Sequence, residues 1–332
     1  MNELLNNQFQ EVLEQIQQAK QKAYQQINTT LINLYCDIGK YISEQVKKNS
    51  WGKGIVTELA IYIRSKEPNI QGFTTRNLWR MKQFYETYAH SQKLSTLWSQ
   101  LSWSHNREIM SLKTEEKREF YLKLCVQNKY SVRELERLIN TSTFERTMLA
   151  DKKMSQAIKE IPQNTEGVFK DSYVFEFLDL PHPHKEKDLQ KSLVRSLKNF
   201  ILELGSDFCF VGEEYRLQVG NDDFFIDLLF FHRQLQCLVA IELKTEKFKP
   251  AHLGQLEFYL EALDRDIKQK NENPSIGLLL CREKHDEVVK YALSRSLSPT
   301  VISEYETKLI PKELLRKKLN ELYDLLEGDN RD

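Results

Sequence analysis

Residues 224–263, FFIDLLFFHRQLQCLVAIELKTEKFKPAHLGQLEFYLEAL, constrain this chain more than any other stretch. Two apolar runs rich in β-branched and aromatic residues, 224–231 and 237–243, flank a short polar break, the pattern of a β-hairpin. With the turn centred near Gln234, Asp227 on the first strand falls opposite residues 240–242 on the second. Side chains alternate faces along a strand, so Glu242 and Lys244 share one face and Leu243 takes the other. The hairpin therefore predicts two carboxylates and one ammonium gathered near one end of a sheet.

That combination has a chemical use. Magnesium takes oxygen ligands in octahedral geometry, keeps several waters, and needs only one or two carboxylates when a substrate phosphate completes its shell. Two uncompensated carboxylates at close range repel, and one pKa rises; a divalent cation removes the conflict. Such a cation polarises a phosphoryl oxygen and lowers the pKa of a bound water. A lysine beside it stabilises charge growing on the phosphate or positions the attacking water. Asp227 and Glu242 are thus candidate ligands for Mg²⁺ or Mn²⁺, with Lys244 as the charge stabiliser.

The chain has 332 residues, enough for two domains of ordinary size, and 40% apolar content supports proper cores. Its formal net charge of zero hides an asymmetry: residues 1–150 carry 21 Lys+Arg against 15 Asp+Glu, and the remainder carries the compensating acidic excess. A mildly basic half beside an acidic half suits phosphate binding in one and cation binding in the other. Five dispersed cysteines without a C-x-x-C pair argue for a reducing compartment and against zinc or disulfides. With no apolar N-terminal signal region and no apolar run approaching a membrane span, a cytoplasmic, soluble protein is expected, without a membrane partner.

Residues 3–48 read as one long helix or two consecutive ones, with Leu13, Ile16, Ala19 and Ala23 forming one stripe and Ile27, Leu31, Leu34, Tyr35, Ile38 and Ile42 continuing it. A helix over 73–88 starts at a Thr74 or Thr75 cap and carries Leu78, Met81, Phe84 and Tyr85 as its apolar stripe. Arg76, Asn77 and Arg80 stand near its start, which suits either a helix-turn-helix reader or an amphipathic helix with its basic residues in solvent. The tryptophans and His105 within 97–112 have core spacing, and Ser131 with Glu134 has capping-box spacing. Arg133 and Arg137 on the helix that follows would touch phosphate or lie in solvent. Periodicity weakens over 151–183, which reads as a linker and packing segment; His182 and His184, set among prolines, read as an exposed loop rather than a metal pair.

Beyond the linker the pattern is an amphipathic helix over 185–204, a strand over 209–219, the hairpin, and a helix bearing Gln255 and Tyr259 on one face. A strand at 276–281, a helix at 283–295, a strand at 301–305 and a closing helix at 311–326 complete it. The expectation is a mixed sheet covered by helices on both faces.

Asp227, then Glu242-Leu243-Lys244, then Gln255 and Tyr259 resemble the PD-(D/E)XK nuclease superfamily. More closely, GEEYRLQVGNDDFFIDLLFFHRQLQCLVAIELK and FKPAHLGQLEFYLEALD are similar to the YhcG-type nucleases. INTTLINLYCDIGKYI, TTRNLWRMKQFY, QLSWSHNREIM and YSVRELERLI extend the resemblance over nearly the whole chain. It implies an α+β protein of two domains: an all-α, winged-helix-like nucleic-acid-binding domain over 1–150 and a restriction-endonuclease-like α/β domain over 184–328. It also implies a metal-dependent nuclease, with DNA favoured as substrate. Asp227 and Glu242 would hold the metal, helped by the Leu243 carbonyl, while Gln255 would orient the lysine, the water or the substrate. Arg76, Asn77, Arg80 and Tyr259 would contact nucleic acid, and a homo-oligomer or association with other DNA-processing proteins is compatible with the pattern. Ile226 stands where the superfamily name places proline. Gln190 stands where the family often has an acid, although Glu186 lies one turn earlier. The rival reading is a non-catalytic nucleic-acid-binding or assembly protein that uses a nuclease-like fold as a scaffold; the intact Asp–Glu–Lys set argues against it.

Overall fold

The computed structural model describes residues 3–48, 51–150, 155–162, 165, 168–180, 183–205, 207–294 and 296–329. The chain forms two compact units, Met1–Glu136 and Arg137–Asp332. Unit 1 is helical throughout its described residues: α1 (Glu3–Lys47), α2 (Lys53–Lys66), α3 (Thr75–Tyr88), α4 (Ser95–Trp98), α5 (Trp103–Ile109) and α6 (Glu115–Asn128). It is all-α as expected, and its described residues contain no strand pair that would form a wing.

In unit 1, α1 runs unbroken for 45 residues. Leu78, Met81 and Phe84 of α3 are fully buried, as are Ile32 and Ile42 of α1, so the apolar stripes of the two helices face each other. Gly39 permits the contact. A Cβ there would stand 2.0 Å from the Met81 carbonyl oxygen, so the two backbones touch where only hydrogen fits. Thr74 caps α3, its hydroxyl accepting from the Asn77 N–H at 3.3 Å. His105 sits between the Ser102 hydroxyl (2.7 Å) and the Tyr130 carbonyl (2.8 Å), which is a packing role. The capping box is formed as read: the Ser131 N–H donates to Glu134 Oε2 at 2.7 Å, and the Glu134 N–H to Ser131 Oγ at 3.3 Å.

The chain continues through α7 (Val132–Asn140), α8 (Thr143–Ala150) and α9 (Gln156–Lys159) to the edge strand β1 (Ser172–Val174), then α10 (Glu186–Arg195) and α11 (Leu197–Leu204). The hairpin region follows as β2 (Phe208–Val219), β3 (Asp222–His232) and β4 (Cys237–Lys247), and then α12 (Ala251–Ala262), β5 (Ile276–Glu283), α13 (Asp286–Leu293), β6 (Thr300–Glu306) and α14 (Lys312–Asp329). The six strands make one sheet in the order β1-β6-β5-β4-β3-β2. β2, β3 and β4 pair antiparallel, while β4, β5, β6 and β1 run parallel. One face packs Leu189, Leu193, Phe200 and Leu204 of α10 and α11 onto Leu228, Phe230, Val239, Ile241 and Leu243. The other packs Leu253, Leu256 and Tyr259 of α12 and Val289 of α13 onto Leu229, Ala240 and Leu279. This is the expected mixed sheet with both faces covered, and it explains why β4 and β5 are apolar almost without interruption.

Three boundaries differ from the sequence reading. The 185–204 helix is two helices, broken at Ser196, whose φ of −103° and ψ of 31° leave the helical region. Within 151–183, read as a linker, residues 172–174 add β1 to the sheet edge, with Tyr173 and Val174 fully buried. Residues 137–150, read with the first domain, cluster with the second unit. Charge explains the last difference. Arg146, fully buried, donates to Glu203 of α11 and to the Ser172 carbonyl at 2.8 Å. Arg137 pairs with Glu176 at 2.9 Å and Glu203 at 3.2 Å, so it is neither a phosphate contact nor solvated. Of the two histidines beside the prolines, His182 lies outside the described residues, and His184 places Nε2 3.3 Å from the Tyr305 hydroxyl. All five cysteines are free thiols, and no helix among the described residues is long and apolar enough to cross a membrane.

Candidate active site

The β3–β4 hairpin sets the site. Its register pairs His232 with Cys237 and Leu228 with Ile241, which carried one residue further brings Asp227 level with Glu242. The strands have parted there, and the Leu243 N–H donates to Asp227 Oδ2 at 2.8 Å instead of to a strand carbonyl. Gln190 of α10 fixes the same point from behind, its amide donating to the Asp227 carbonyl at 2.8 Å. An amide where an acid was looked for thus serves as a backbone clamp on Asp227.

Glu242 is almost fully buried, and Lys244 Nζ lies 2.9 Å from its Oε1. Glu186, at the first turn of α10, comes in from the helix layer: its Oε2 is 3.7 Å from Lys244 Nζ, and its Oε1 accepts from the Thr245 N–H at 3.4 Å. Three acids therefore surround one ammonium. Burial, then the Asp227 charge, pushes the Glu242 carboxyl up to about 7 against the pull of Lys244. Burial also raises Asp227, in part offset by the Leu243 N–H. Burial works against the Lys244 ammonium, but Glu242, Glu186 and Asp227 outweigh it and hold its pKa above the ordinary lysine value.

Glu242 Oε2 is the informative atom, because it is buried with no hydrogen-bond partner. A buried carboxylate oxygen left unpaired costs free energy unless something charged completes it. Asp227, Glu242 and the Leu243 carbonyl offer hard oxygen ligands only, which suits Mg²⁺ or Mn²⁺ and disfavours zinc. Among the described residues no cluster of three or more His, Cys, Asp or Glu converges as a ready-made metal cage, so water and substrate would complete the shell.

Gln255 and Tyr259 share a face of α12 as their spacing predicts, with Gln255 Nε2 donating to the Tyr259 hydroxyl at 2.8 Å. Tyr259 is buried; burial raises its pKa, and the Glu242 and Asp227 charges add to that, which puts its hydroxyl within the field of the site. Gln255 is thus tied to a hydroxyl that feels the charge of both acids.

In unit 1, Arg76 is exposed at the first turn of α3 and Arg80 lies a turn further on. Burial and two neighbouring guanidiniums, Arg107 and Arg76, depress the Arg80 pKa. Arg107, on α5, was not singled out in the sequence, because its neighbours there carry no basic pattern; the fold brings it to α3. Asn77 differs from the expectation of a nucleic-acid contact. Its amide donates to the Gly72 carbonyl and its Oδ1 accepts from Trp103 Nε1 at 2.8 Å, so one end of the side chain holds the turn before α3 and the other ties α3 to α5.

Residues 166–320 match the family described as the YhcG PDDEXK nuclease domain, and residues 11–146 the DUF1016 N-terminal domain. The Escherichia coli (strain K12) protein named "Putative nuclease YhcG" is 30% identical, with 96% of this chain and 95% of that protein covered. This chain belongs to the YhcG family of PD-(D/E)XK nucleases. Asp227, Glu242 and Lys244, at the parting of β3 and β4, lie within the segment that the nuclease-domain family matches. A repair endonuclease from Pyrococcus abyssi, known from a crystal structure, aligns with 40% of this chain and 50% of its own at 15% identity and a TM-score of 0.26, too slight a likeness to argue from.

Proposed function

We propose that this YhcG-family protein hydrolyses phosphodiester bonds in nucleic acid, DNA foremost, with Mg²⁺ or Mn²⁺ held by Asp227, Glu242 and the Leu243 carbonyl. The observation that carries the reading is Glu242 Oε2, buried and unpartnered beside a second raised carboxyl. A bound divalent cation would supply Lewis-acid polarisation of the phosphate and a lowered water pKa. The chain's own residues do the rest. Gln190 and the Leu243 N–H hold Asp227 in place, which fixes the spacing of the two carboxylates. Lys244, charged and half-shielded, is aimed at the phosphate oxygen on which charge develops. Gln255, steadied by its hydrogen bond to the Tyr259 hydroxyl, orients the substrate strand or the water.

In unit 1 the Arg76, Arg80 and Arg107 guanidiniums form the phosphate-holding surface. After burial, Arg107 and Arg76 work against the Arg80 charge, and an anion bound among the three guanidiniums would relieve that repulsion. The five free thiols fit a reducing cytoplasm.

The test is incubation of the full chain with labelled single- and double-stranded DNA and RNA, with Mg²⁺ or Mn²⁺ against chelator. Metal-dependent cleavage of DNA that is lost on chelation is expected. Binding without cleavage of any substrate, under every metal, would return the chain to the scaffold reading.

A further inference from the structure

Two residues on the outer face of α12, on either side of Gln255, have no evident task in the fold. The first is Gly254, fourth of the twelve residues of the helix. Glycine in a helix costs stability relative to alanine, so its place there calls for a neighbour that a side chain would obstruct. Gly39 and Gly277 have such neighbours: a Cβ would stand 2.0 Å from the Met81 carbonyl oxygen in one and 2.8 Å from the Leu256 side chain in the other. A Cβ on Gly254 would meet no described atom within 4 Å. The neighbour that would need this glycine is not part of the described fold.

The second is Phe258, one turn further on and 38% exposed. Phe224 of β3 braces its ring, with centroids 4.6 Å apart and planes at 59°, and the Tyr259 ring lies 6.2 Å away. A tilted neighbour supports the ring and leaves it partly open to solvent. Phe224 stands three residues before Asp227, about 10 Å along the strand. Gln255, itself exposed, adjoins Phe258 by helical spacing and donates to the Tyr259 hydroxyl, which feels Glu242 and Asp227. The patch is therefore continuous with the candidate active site. From Ala251 to Leu256 α12 carries no acid, and no base but His252; the first acid, Glu257, accepts from the Ser296 hydroxyl at 2.7 Å. No acid of these two turns would repel a phosphate-bearing strand.

We propose that Phe258 stacks on an unpaired base flanking the scissile phosphate, with the sugar–phosphate backbone passing against Gly254, so that single-stranded DNA is the preferred substrate. A base gives its full face to an aromatic ring only where it has left the duplex stack. The Phe258 ring is already held between a helix and a strand, so little side-chain freedom is lost on binding. The inference rests on the nuclease reading for its ligand, a nucleic-acid strand.

Fluorescence anisotropy of the full chain in chelator tests it, with a short labelled oligothymidylate and the blunt duplex that it forms with its complement, over a salt series. The parent should bind the single strand more tightly than the duplex. Phe258→Leu keeps an apolar contact for Phe224 and removes the ring. It should weaken single-strand binding by at least about 5-fold, the low end of one base–aromatic stack, and leave duplex binding unchanged. Stacking releases no counterion, so the slope of log K against log salt should stay at the parent's value. Phe258→Trp should keep the affinity. Gly254→Gln should raise the thermal midpoint, because glutamine is the better helix former, and yet weaken single-strand binding. Equal affinity of the parent for both probes, single-strand binding undiminished in Phe258→Leu or Gly254→Gln, or a loss shared equally by the duplex overturns the proposal. Binding in chelator is decided apart from cleavage. A parent that cleaves but fails these readings overturns this inference alone, and one that passes them but cleaves nothing overturns the nuclease reading alone.

Discussion

Lys244 Nζ stands 2.9 Å from Glu242 Oε1, while Oε2 of the same carboxylate is buried without a partner. The lysine neutralises half of a carboxylate that the sheet has desolvated, and Asp227 adds like charge from β3. Free of metal, this corner of the fold is under electrostatic load. Glu242→Gln should relieve it: in chelator, the variant should unfold at a higher temperature than the parent, by on the order of 1 kcal/mol, because burial and the Asp227 charge both disfavour the ionised Glu242 carboxyl and outweigh the pull of Lys244. A scanning-calorimetry midpoint below the parent's would mean that the Glu242–Lys244 pair is a net support.

Glu203 should behave in the opposite way. Burial alone would raise its carboxyl, but Arg146, Lys170 and Arg137 outweigh it and bring it from 4.5 down to about 2. A folded pKa below the unfolded one means that the unfolded chain binds more protons between the two values. The stabilisation is therefore present above about pH 4.5 and lost as pH falls through about 2. Glu203→Gln leaves the Arg146 guanidinium buried without its counter-charge, at a cost of about 3–5 kcal/mol. Urea unfolding at pH 7 and pH 3 checks both points, because the gap between parent and variant should narrow in acid.

Gly39 marks where the backbones of α1 and α3 touch. Gly39→Ala would force the helices apart by more than a side-chain adjustment, since the clash is with the Met81 carbonyl. A loss of about 1–3 kcal/mol is expected, read as a lower thermal midpoint. An unchanged midpoint would show that α1 and α3 separate freely at this crossing.

For the nucleic-acid surface, Arg76→Ala, Arg80→Ala and Arg107→Ala should each weaken DNA binding by the full chain and make the slope of log K against log salt shallower by about one counterion. Asn77→Ala should differ, because it removes one hydrogen bond to the turn and one to α5 and acts through the stability of α3. Fluorescence anisotropy titrations over a salt series separate the two behaviours. An unchanged slope in all three arginine variants would move the binding surface elsewhere.

Much of this was legible in the sequence, and the exceptions share a cause. The hairpin, both later strands and the covered sheet follow from apolar runs whose period and punctuation are local. Glu242 and Lys244 come together for the same reason: two residues apart on a strand is one face. β1 was not legible, because the three residues Ser172, Tyr173 and Val174 carry no alternation and become a strand only by pairing with β6. Arg137 reads as a phosphate contact or a solvated base until a buried Glu203, distant in sequence, is set beside it. Gln190 looked like a lost acid; only the fold reveals its hold on the Asp227 carbonyl. Long-range partners of charged and amide side chains leave no periodic trace.

The most direct test of the site compares calorimetric Mg²⁺ or Mn²⁺ titration with cleavage for Asp227→Asn, Glu242→Gln and Lys244→Ala. The two acid variants should lose metal affinity and cleavage together. Lys244→Ala removes the ammonium that competes for Glu242 Oε1, so it should bind metal at least as tightly as the parent. Its cleavage should nevertheless fall about 10²–10³-fold, the usual worth of a donor aimed at developing charge. Equal loss of metal binding in all three variants, or undiminished cleavage by Lys244→Ala, would contradict the roles assigned to these residues.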